Sequence, residues 1–234
     1  TTDWNYKSDK GPALWHSLGW PICLSGTRQS PINIIESEAV GGVPTPITWQ
    51  YGATAVDISN NGKTLVMNNV AANKMQVGGT NYSMYNIHFH HTSEHLFNGG
   101  GFDAEIHFVH TDATGGLAVL GVMVIEGAAN PGFPADLRKF KQMLPGTTGS
   151  THTFTSITVN PALMFPTDKT FYNYQGSLTT PPCSEGVNWH VFKQPITMSR
   201  DQLNILIKAL RGLEKASKFG NTNRPVMPLN GRIV

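Results

Sequence analysis

The chain has 234 residues, of which 39% are hydrophobic and 14% charged, with a formal net charge of +2. That length suffices for one domain with a substantial core, and the low, dispersed charge excludes a disordered chain and gives no footing for nucleic acid or an anionic membrane surface. No stretch approaches the ~18 consecutive apolar residues of a membrane-spanning helix, so no membrane span is expected.

The 24 Gly and 15 Pro predict many turns between short strands. Residues 1–30 read as an irregular aromatic arm, with Trp4, Tyr6, Trp15 and Trp20 among Gly and Pro. The opening Thr1-Thr2-Asp3-Trp4 has neither an initiator Met nor a signal-peptide pattern, as expected of a chain whose leader was removed or that was trimmed. Val56–Ser59, Thr64–Met67 and Lys74–Val77 are β-prone, and Asn61-Gly62 is a hairpin signal. Longer strands are predicted over Ser83–His91, Ala104–His110 and Leu117–Glu126, the last built on the apolar run Leu117 to Ile125, broken by Gly121. The insert Asn98-Gly99-Gly100-Gly101 suits an antiparallel connection between the first two. One helix is predicted over Pro134–Met143, with Leu137, Phe140 and Leu144 at helical spacing. A second is predicted over Ser199–Leu210, with Ser199 as N-cap and Leu203, Ile207 and Leu210 as its apolar stripe. The tail from Asn223 to Val234 reads as extended. No repeat, linker or low-complexity tract divides the chain, so residues 1–234 are expected to form a single, mainly β (α+β) domain with a few short peripheral helices.

Cys23 and Cys183 are the two cysteines. Their count permits either two unrelated thiols or one disulfide, and a structural disulfide would imply an oxidising compartment.

The decisive stretch is Asn86-Ile87-His88-Phe89-His90-His91. Side chains of a strand alternate faces, so His88 and His90 share one face and Phe89 and His91 take the other. In Ala104–His110, Glu105, His107 and Val109 share a face, with His110 out of phase. If the two strands lie in one sheet, His88, His90 and His107 converge. Three neutral imidazoles with a fourth position open make a catalytic zinc site, although imidazole also suits copper, nickel and cobalt. A competing pattern, His91-Thr92-Ser93-Glu94-His95, matches the H-x-x-E-H signature of inverted zinc proteases. That chemistry needs a helix, and the β-prone run before the motif and the glycines after it leave no room for one.

These residues resemble the α-class carbonic anhydrases, of the disulfide-containing extracellular or periplasmic type. The resemblance covers nearly the whole chain. It runs through Gln29-Ser30-Pro31-Ile32-Asn33-Ile34, His88-Phe89-His90, Ser93-Glu94-His95 and Ala104-Glu105-Ile106-His107-Phe108-Val109-His110. It continues through Leu117-Ala118-Val119-Leu120-Gly121 and Tyr174-Gln175-Gly176-Ser177-Leu178-Thr179-Thr180-Pro181-Pro182, and ends at Asn223-Arg224-Pro225. It implies a large, twisted, mostly antiparallel sheet of about ten strands with Zn2+ at the foot of a conical cleft. The implied activity is reversible hydration of CO2 to bicarbonate and a proton by zinc-activated water, with weak esterase activity and inhibition by anions and sulfonamides.

The site residues follow from the resemblance position by position. Thr179 matches the gatekeeper threonine, whose hydroxyl accepts from the nucleophile and donates to Glu94. Glu105 matches the carboxylate that orients His107. Asn86 stands where an amide, usually Gln, holds His88; one methylene shorter, it is not expected to hold that contact firmly. Val109, Val119, Leu178, Val187 and Trp189 match the apolar wall that receives CO2. Tyr6, Asn61 and Thr180 match polar residues that order water in the cleft. Cys23 and Cys183 match the family's disulfide pair, which supports a secreted, extracellular or periplasmic location. Asn81-Tyr82-Ser83 is a glycosylation triplet usable only in a eukaryotic host.

One departure stands out. Fast members carry a proton-ferrying histidine after the Asn-Gly turn, and here that place is Lys63. Histidine ordinarily titrates near about 6.5 and lysine near about 10.4, so lysine is a poor carrier at neutral pH. Val66 likewise replaces a residue that is often polar in the family. The expectation is an intact hydration step with an impaired proton relay. A binding or storage protein on the same fold is the alternative function class. The sequence gives no sign of a dedicated protein partner.

Overall fold

The period-two alternation in the middle of the chain becomes the centre of an 11-stranded, mostly antiparallel sheet. The computed structural model describes residues 3–43, 45–68 and 70–234; Thr1 and Thr2 of the predicted arm lie outside the described residues. The strands are β1 Asn33–Ile34, β2 Ile47–Gln50, β3 Thr54–Asn60, β4 Leu65–Asn68, β5 Lys74–Val77, β6 Thr80–His90 and β7 Leu96–Phe97. They continue as β8 Ala104–Thr111, β9 Leu117–Glu126, β10 Thr151–Val159, β11 Phe171–Ser177, β12 Glu185–Phe192 and β13 Ile196–Met198. The main order is β10-β3-β4-β6-β8-β9-β12-β11, with β5 and β2 extending from β6 and β13 lying along β9. Strands β12 and β13 run parallel to β9. A separate parallel pair joins β1 to β7.

Local chemistry sets the boundaries. The expected start of β6 at Ser83 moves back to Thr80, because Gly78 and Gly79 both take positive φ (54° and 85°) and close a tight β5–β6 hairpin. β4 starts at Leu65 instead of Thr64, because Asn61 Oδ1 accepts the N–H groups of Lys63 and Thr64 and keeps both in the turn. The helices are α1 Ile22–Ser25, α2 Leu137–Met143 and α3 Arg200–Arg211. Helix α2 is shorter than the predicted Pro134–Met143: the Asp136 carboxylate caps it by accepting from Arg138 N, so it begins at Leu137. Ser199 caps α3 in a capping box with Gln202, as its sequence implies. The buried stripe of α3 is Leu203, Leu206 and Leu210; Ile207, assigned to that stripe, is only half-buried. The tail contains no strand.

Strands β8 and β9 are covered on both faces, which is why they are almost continuously apolar. One face carries Ile106, Phe108, Leu120 and Val122 into the large core, with Phe133, Phe140 and the apolar side of α3. The other face carries Val109, Val119, Val187 and Trp189 in a second cluster, beside the histidines. The N-terminal arm closes a third cluster around Trp15, Tyr6 and the two cysteines.

Candidate metal centre

Register brings the three histidines together. His88 sits directly opposite His107 across β6 and β8, and His90 follows two residues along the same face. The ring centroids are 5.1 Å apart for His88–His90 and for His88–His107, and 4.6 Å for His90–His107. One nitrogen from each ring lies within 4.8 Å of the others.

The far nitrogen of each ring is held by an oxygen. His88 Nδ1 meets Asn86 Oδ1 at 2.9 Å, His90 Nδ1 meets the Thr222 carbonyl at 2.6 Å, and His107 Nε2 meets Glu105 Oε1 at 2.7 Å. These contacts favour the tautomers that leave His88 Nε2, His90 Nε2 and His107 Nδ1 as inward lone pairs; His88 Nε2 and His107 Nδ1 lie 3.3 Å apart, and His90 Nε2 has no partner among the described residues. The short Asn86 side chain therefore does reach its ring, against expectation. It stands two residues before His88 on the same strand face, close enough that the missing methylene is not needed.

Burial keeps the rings neutral. It pulls His88 well below the usual imidazole range, with His107 and His90 adding to the effect. It lowers His90 against the Thr222 carbonyl, and His107 against Glu105. Burial pushes Glu105 upward, but its interactions with His95 and His107, including hydrogen bonds from both rings, outweigh it and hold the carboxyl well below its ordinary range. Glu105 also accepts the backbone N–H groups of Glu94 and His95 at 2.8 Å each. His95, Glu105 and His107 form a second candidate cluster. Its atoms are already paired at 2.7 Å, so it is a hydrogen-bonded support and not a second ion site.

Glu94 reaches the open side of the triad. Its Oε2 lies 3.4 Å from His90 Nε2 and 3.9 Å from His107 Nδ1. Among the described residues, His90 Nε2 and Glu94 Oε2 are buried side-chain atoms without a hydrogen-bond partner. Burial raises the Glu94 carboxyl to about 7, opposed by His107, the Thr179 hydroxyl and the Arg224 N–H. Buried imidazole nitrogens with aligned lone pairs, beside an orphaned carboxylate oxygen, suit a divalent cation of the zinc type.

The remaining expected residues surround this point. Trp189 packs edge-on to His107 at 4.8 Å, with its indole N–H on the Ser177 carbonyl at 2.9 Å. Val109, Val119 and Val187 are buried in the adjoining cluster, and half-buried Leu178 packs against it. Tyr6 is buried in the arm, where burial and the charge of Glu94 push its phenol well above its ordinary range. Asn61 is exposed and its amide oxygen is taken by its own turn. Thr180 is half-buried, and its carbonyl accepts from Cys183 N at 2.9 Å. Val66 stands directly beside His88 in the sheet. Lys63 turns to the arm, where its ammonium lies 4.4 Å above the Trp4 ring and 3.6 Å from Asp3. Cys23 and Cys183 form a disulfide with Cα atoms 5.2 Å apart.

The protease alternative fails on geometry. Residues 91–95 form bends with no helix, His91 Nδ1 is bound to the Asp103 carbonyl, and His95 is bound to Glu105 and Tyr174. Three functional contacts carried no signal of their own in the sequence. The Thr222 carbonyl and Arg224 N–H act through backbone, and His95 stood out only within matched motifs.

The profile of eukaryotic-type carbonic anhydrases matches residues 10–234. A carbonic anhydrase of Pectobacterium atrosepticum is 34% identical, covering 99% of this chain and 89% of its own length. The α-carbonic anhydrase of Thermovibrio ammonificans, solved with the inhibitor sulfanilamide, is 37% identical with a TM-score of 0.87 and covers 100% of this chain and 98% of its own. Dioscorin, solved in complex with ascorbate, is 28% identical with a TM-score of 0.86, covering 99% of this chain and 96% of its own.

Proposed function

The chain belongs to the eukaryotic-type carbonic anhydrase family and is a carbonate dehydratase, and from that premise we propose that it hydrates CO2 with one Zn2+ held by His88, His90 and His107. The observation that carries this reading is the inward convergence of three imidazole nitrogens whose partners across each ring are all oxygen atoms. Carbonic anhydrase is itself the standard case of zinc lowering the pKa of a bound water to about 7, a family value and not one derived from this structure.

The chain's own residues then divide the work. Asn86, Thr222 and Glu105 hold the three rings in place. Glu94, fixed by Arg224 N at 2.8 Å, accepts a hydrogen bond from the Thr179 hydroxyl. Thr179 is thereby left to accept a hydrogen bond from the nucleophile and to aim its lone pair. Val109, Val119, Leu178, Val187 and Trp189 offer CO2 an apolar surface that does not compete for protons. Tyr6, Asn61 and Thr180 border the polar side. Lys63 occupies the proton-carrier position with its ammonium engaged by Trp4 and Asp3, so protons leave mainly to external buffer.

The same nucleophile supports a weak esterase activity. Anions and sulfonamides compete for the open coordination position, a reading supported by the sulfanilamide complex of the Thermovibrio relative. The Cys23–Cys183 disulfide supports a secreted, extracellular or periplasmic location. Among the described residues, no helix is long and apolar enough to cross a membrane. Residues 1–234 act as one catalytic domain. Alanine at His88 tests the assignment: CO2 hydration and stoichiometric zinc are both lost, while alanine at His91 leaves both intact. Full activity without His88 would overturn it.

A further inference from the structure

Arg224 is 2% exposed, and among the described residues no carboxylate forms a salt bridge with its guanidinium. Its Nη1 donates to the Ser30 carbonyl at 2.7 Å and to Gln29 Oε1 at 2.9 Å, and its Nη2 donates to the Cys23 carbonyl at 2.6 Å. The guanidinium also lies 5.7 Å from the Trp15 ring centroid. A buried cation held only by neutral acceptors is costly to desolvate, and an apolar side chain of similar volume would serve stability as well. Its placement has to be explained by what it holds.

What it holds is the strap 222–224. The main-chain N–H of Arg224 donates to Glu94 Oε1 at 2.8 Å. Two residues earlier, the Thr222 carbonyl receives His90 Nδ1 at 2.6 Å, and Thr222 N donates to the His91 carbonyl at 2.5 Å. One short segment therefore grips both a metal-binding imidazole and the carboxylate beside it.

The anchor of that segment is also the end of a second path. Ser30 Oγ lies 2.8 Å from Tyr174 Oη, which is 2.7 Å from His95 Nε2. His95 Nδ1 is 2.7 Å from Glu105 Oε1, the atom that holds His107. The Gln29-Ser30 pair, through its amide, carbonyl and hydroxyl, is thus the junction of the supports behind His90, Glu94 and His107.

We infer that Arg224 is a positioning residue for CO2 hydration: its guanidinium, seated on Cys23, Gln29 and Ser30, fixes the 222–224 strap and so aims Glu94 and His90. This rests on the zinc reading above. A guanidinium presents a planar fork of donors that an ammonium cannot reproduce, so the substitution Arg224→Lys keeps the charge and loses the seating. Arg224→Met removes both.

The test compares wild type, Arg224→Lys and Arg224→Met, each with one zinc bound and folded at the assay temperature. Three quantities are read: kcat and KM for CO2, the rate of zinc loss to a chelator, and the visible spectrum of the cobalt-substituted protein. The expected result for Arg224→Lys is a kcat lower by about 10- to 100-fold with KM little changed, faster zinc loss, and a shifted cobalt band. Wild-type kcat, zinc release and cobalt spectrum in Arg224→Lys would overturn the inference, even if its melting temperature falls. If Arg224→Met does not fold, Arg224→Lys decides alone. An inactive zinc-loaded wild type would instead sink the functional reading, and the zinc-release and cobalt comparisons would still decide the role of Arg224.

Discussion

Lys63 Nζ lies 4.4 Å above the ring of Trp4 and 3.6 Å from Asp3 Oδ1. Lys215 reinforces this arrangement: its ammonium donates to Asp3 Oδ2 at 2.8 Å, and its backbone joins Tyr6 N to the Gly62 carbonyl. Lys63 therefore ties the N-terminal arm to the Asn61–Gly62 turn.

The first prediction concerns proton transfer. Under the proposed function, in which Lys63 does not carry the proton, turnover of the wild type rises with imidazole concentration. Lys63→His raises turnover in weak buffer by about 10-fold or more, toward the ~10²-fold a placed proton-transfer group typically contributes. Stopped-flow CO2 hydration in weak buffer checks it, and an unchanged rate in Lys63→His counts against it.

The second concerns the oxygens behind the ligands. Glu105→Ala speeds zinc loss more than Asn86→Ala does, because Glu105 is fully buried and supports both His107 and His95. Losses of about 10- to 100-fold in zinc affinity are expected from such partners. Competition with a chromophoric chelator gives the order of the two variants directly.

The third concerns the disulfide. Cys23 and Cys183 are 160 residues apart in sequence, and closing a loop of that length stabilises the fold by up to about 5 kcal/mol in the chain-entropy model. The Cys23→Ser, Cys183→Ser double variant therefore unfolds at markedly lower urea than the oxidised wild type. Equal midpoints would show that the arm docks without the bond.

The fourth concerns acid stability. On the core side of the sheet, burial holds His110 at about 3 and His190 at about 4. His110 Nε2 is paired with Tyr51 Oη at 2.5 Å, while His190 Nδ1 has no partner among the described residues. Both folded values lie below the unfolded imidazole value near 6.5, so the unfolded state binds more protons in this range. Stability is then complete above about pH 6.5 and declines as pH falls, for His190 to about pH 4, by up to about 3 kcal/mol. His190→Leu flattens that acid limb in urea melts taken from pH 7 to 4. An acid limb as steep as the wild type's would contradict the assignment.

Much of the site was legible because strand periodicity is simple. Alternation alone put His88 and His90 on one face and Phe89 on the other, and pairing with β8 delivered His107. The sheet's extent, about ten strands expected and 11 found, came from the resemblance and not from any single segment. What escaped was carried by backbone or by reach. The Thr222 carbonyl and Arg224 N–H have no side-chain signature, and Asn86 reaches a ring that a length argument did not expect it to hold firmly. Helix α2 begins at Leu137, past the expected opening at Pro134, because Asp136 supplies its cap.

The most direct test of the central claim is a titration of metal-free protein with Zn2+, followed by stopped-flow CO2 hydration at each step. The account predicts a rate that climbs linearly and saturates at one zinc per chain, with His107→Ala flat throughout. Saturation of the wild type with one zinc and no hydration above buffer would contradict it.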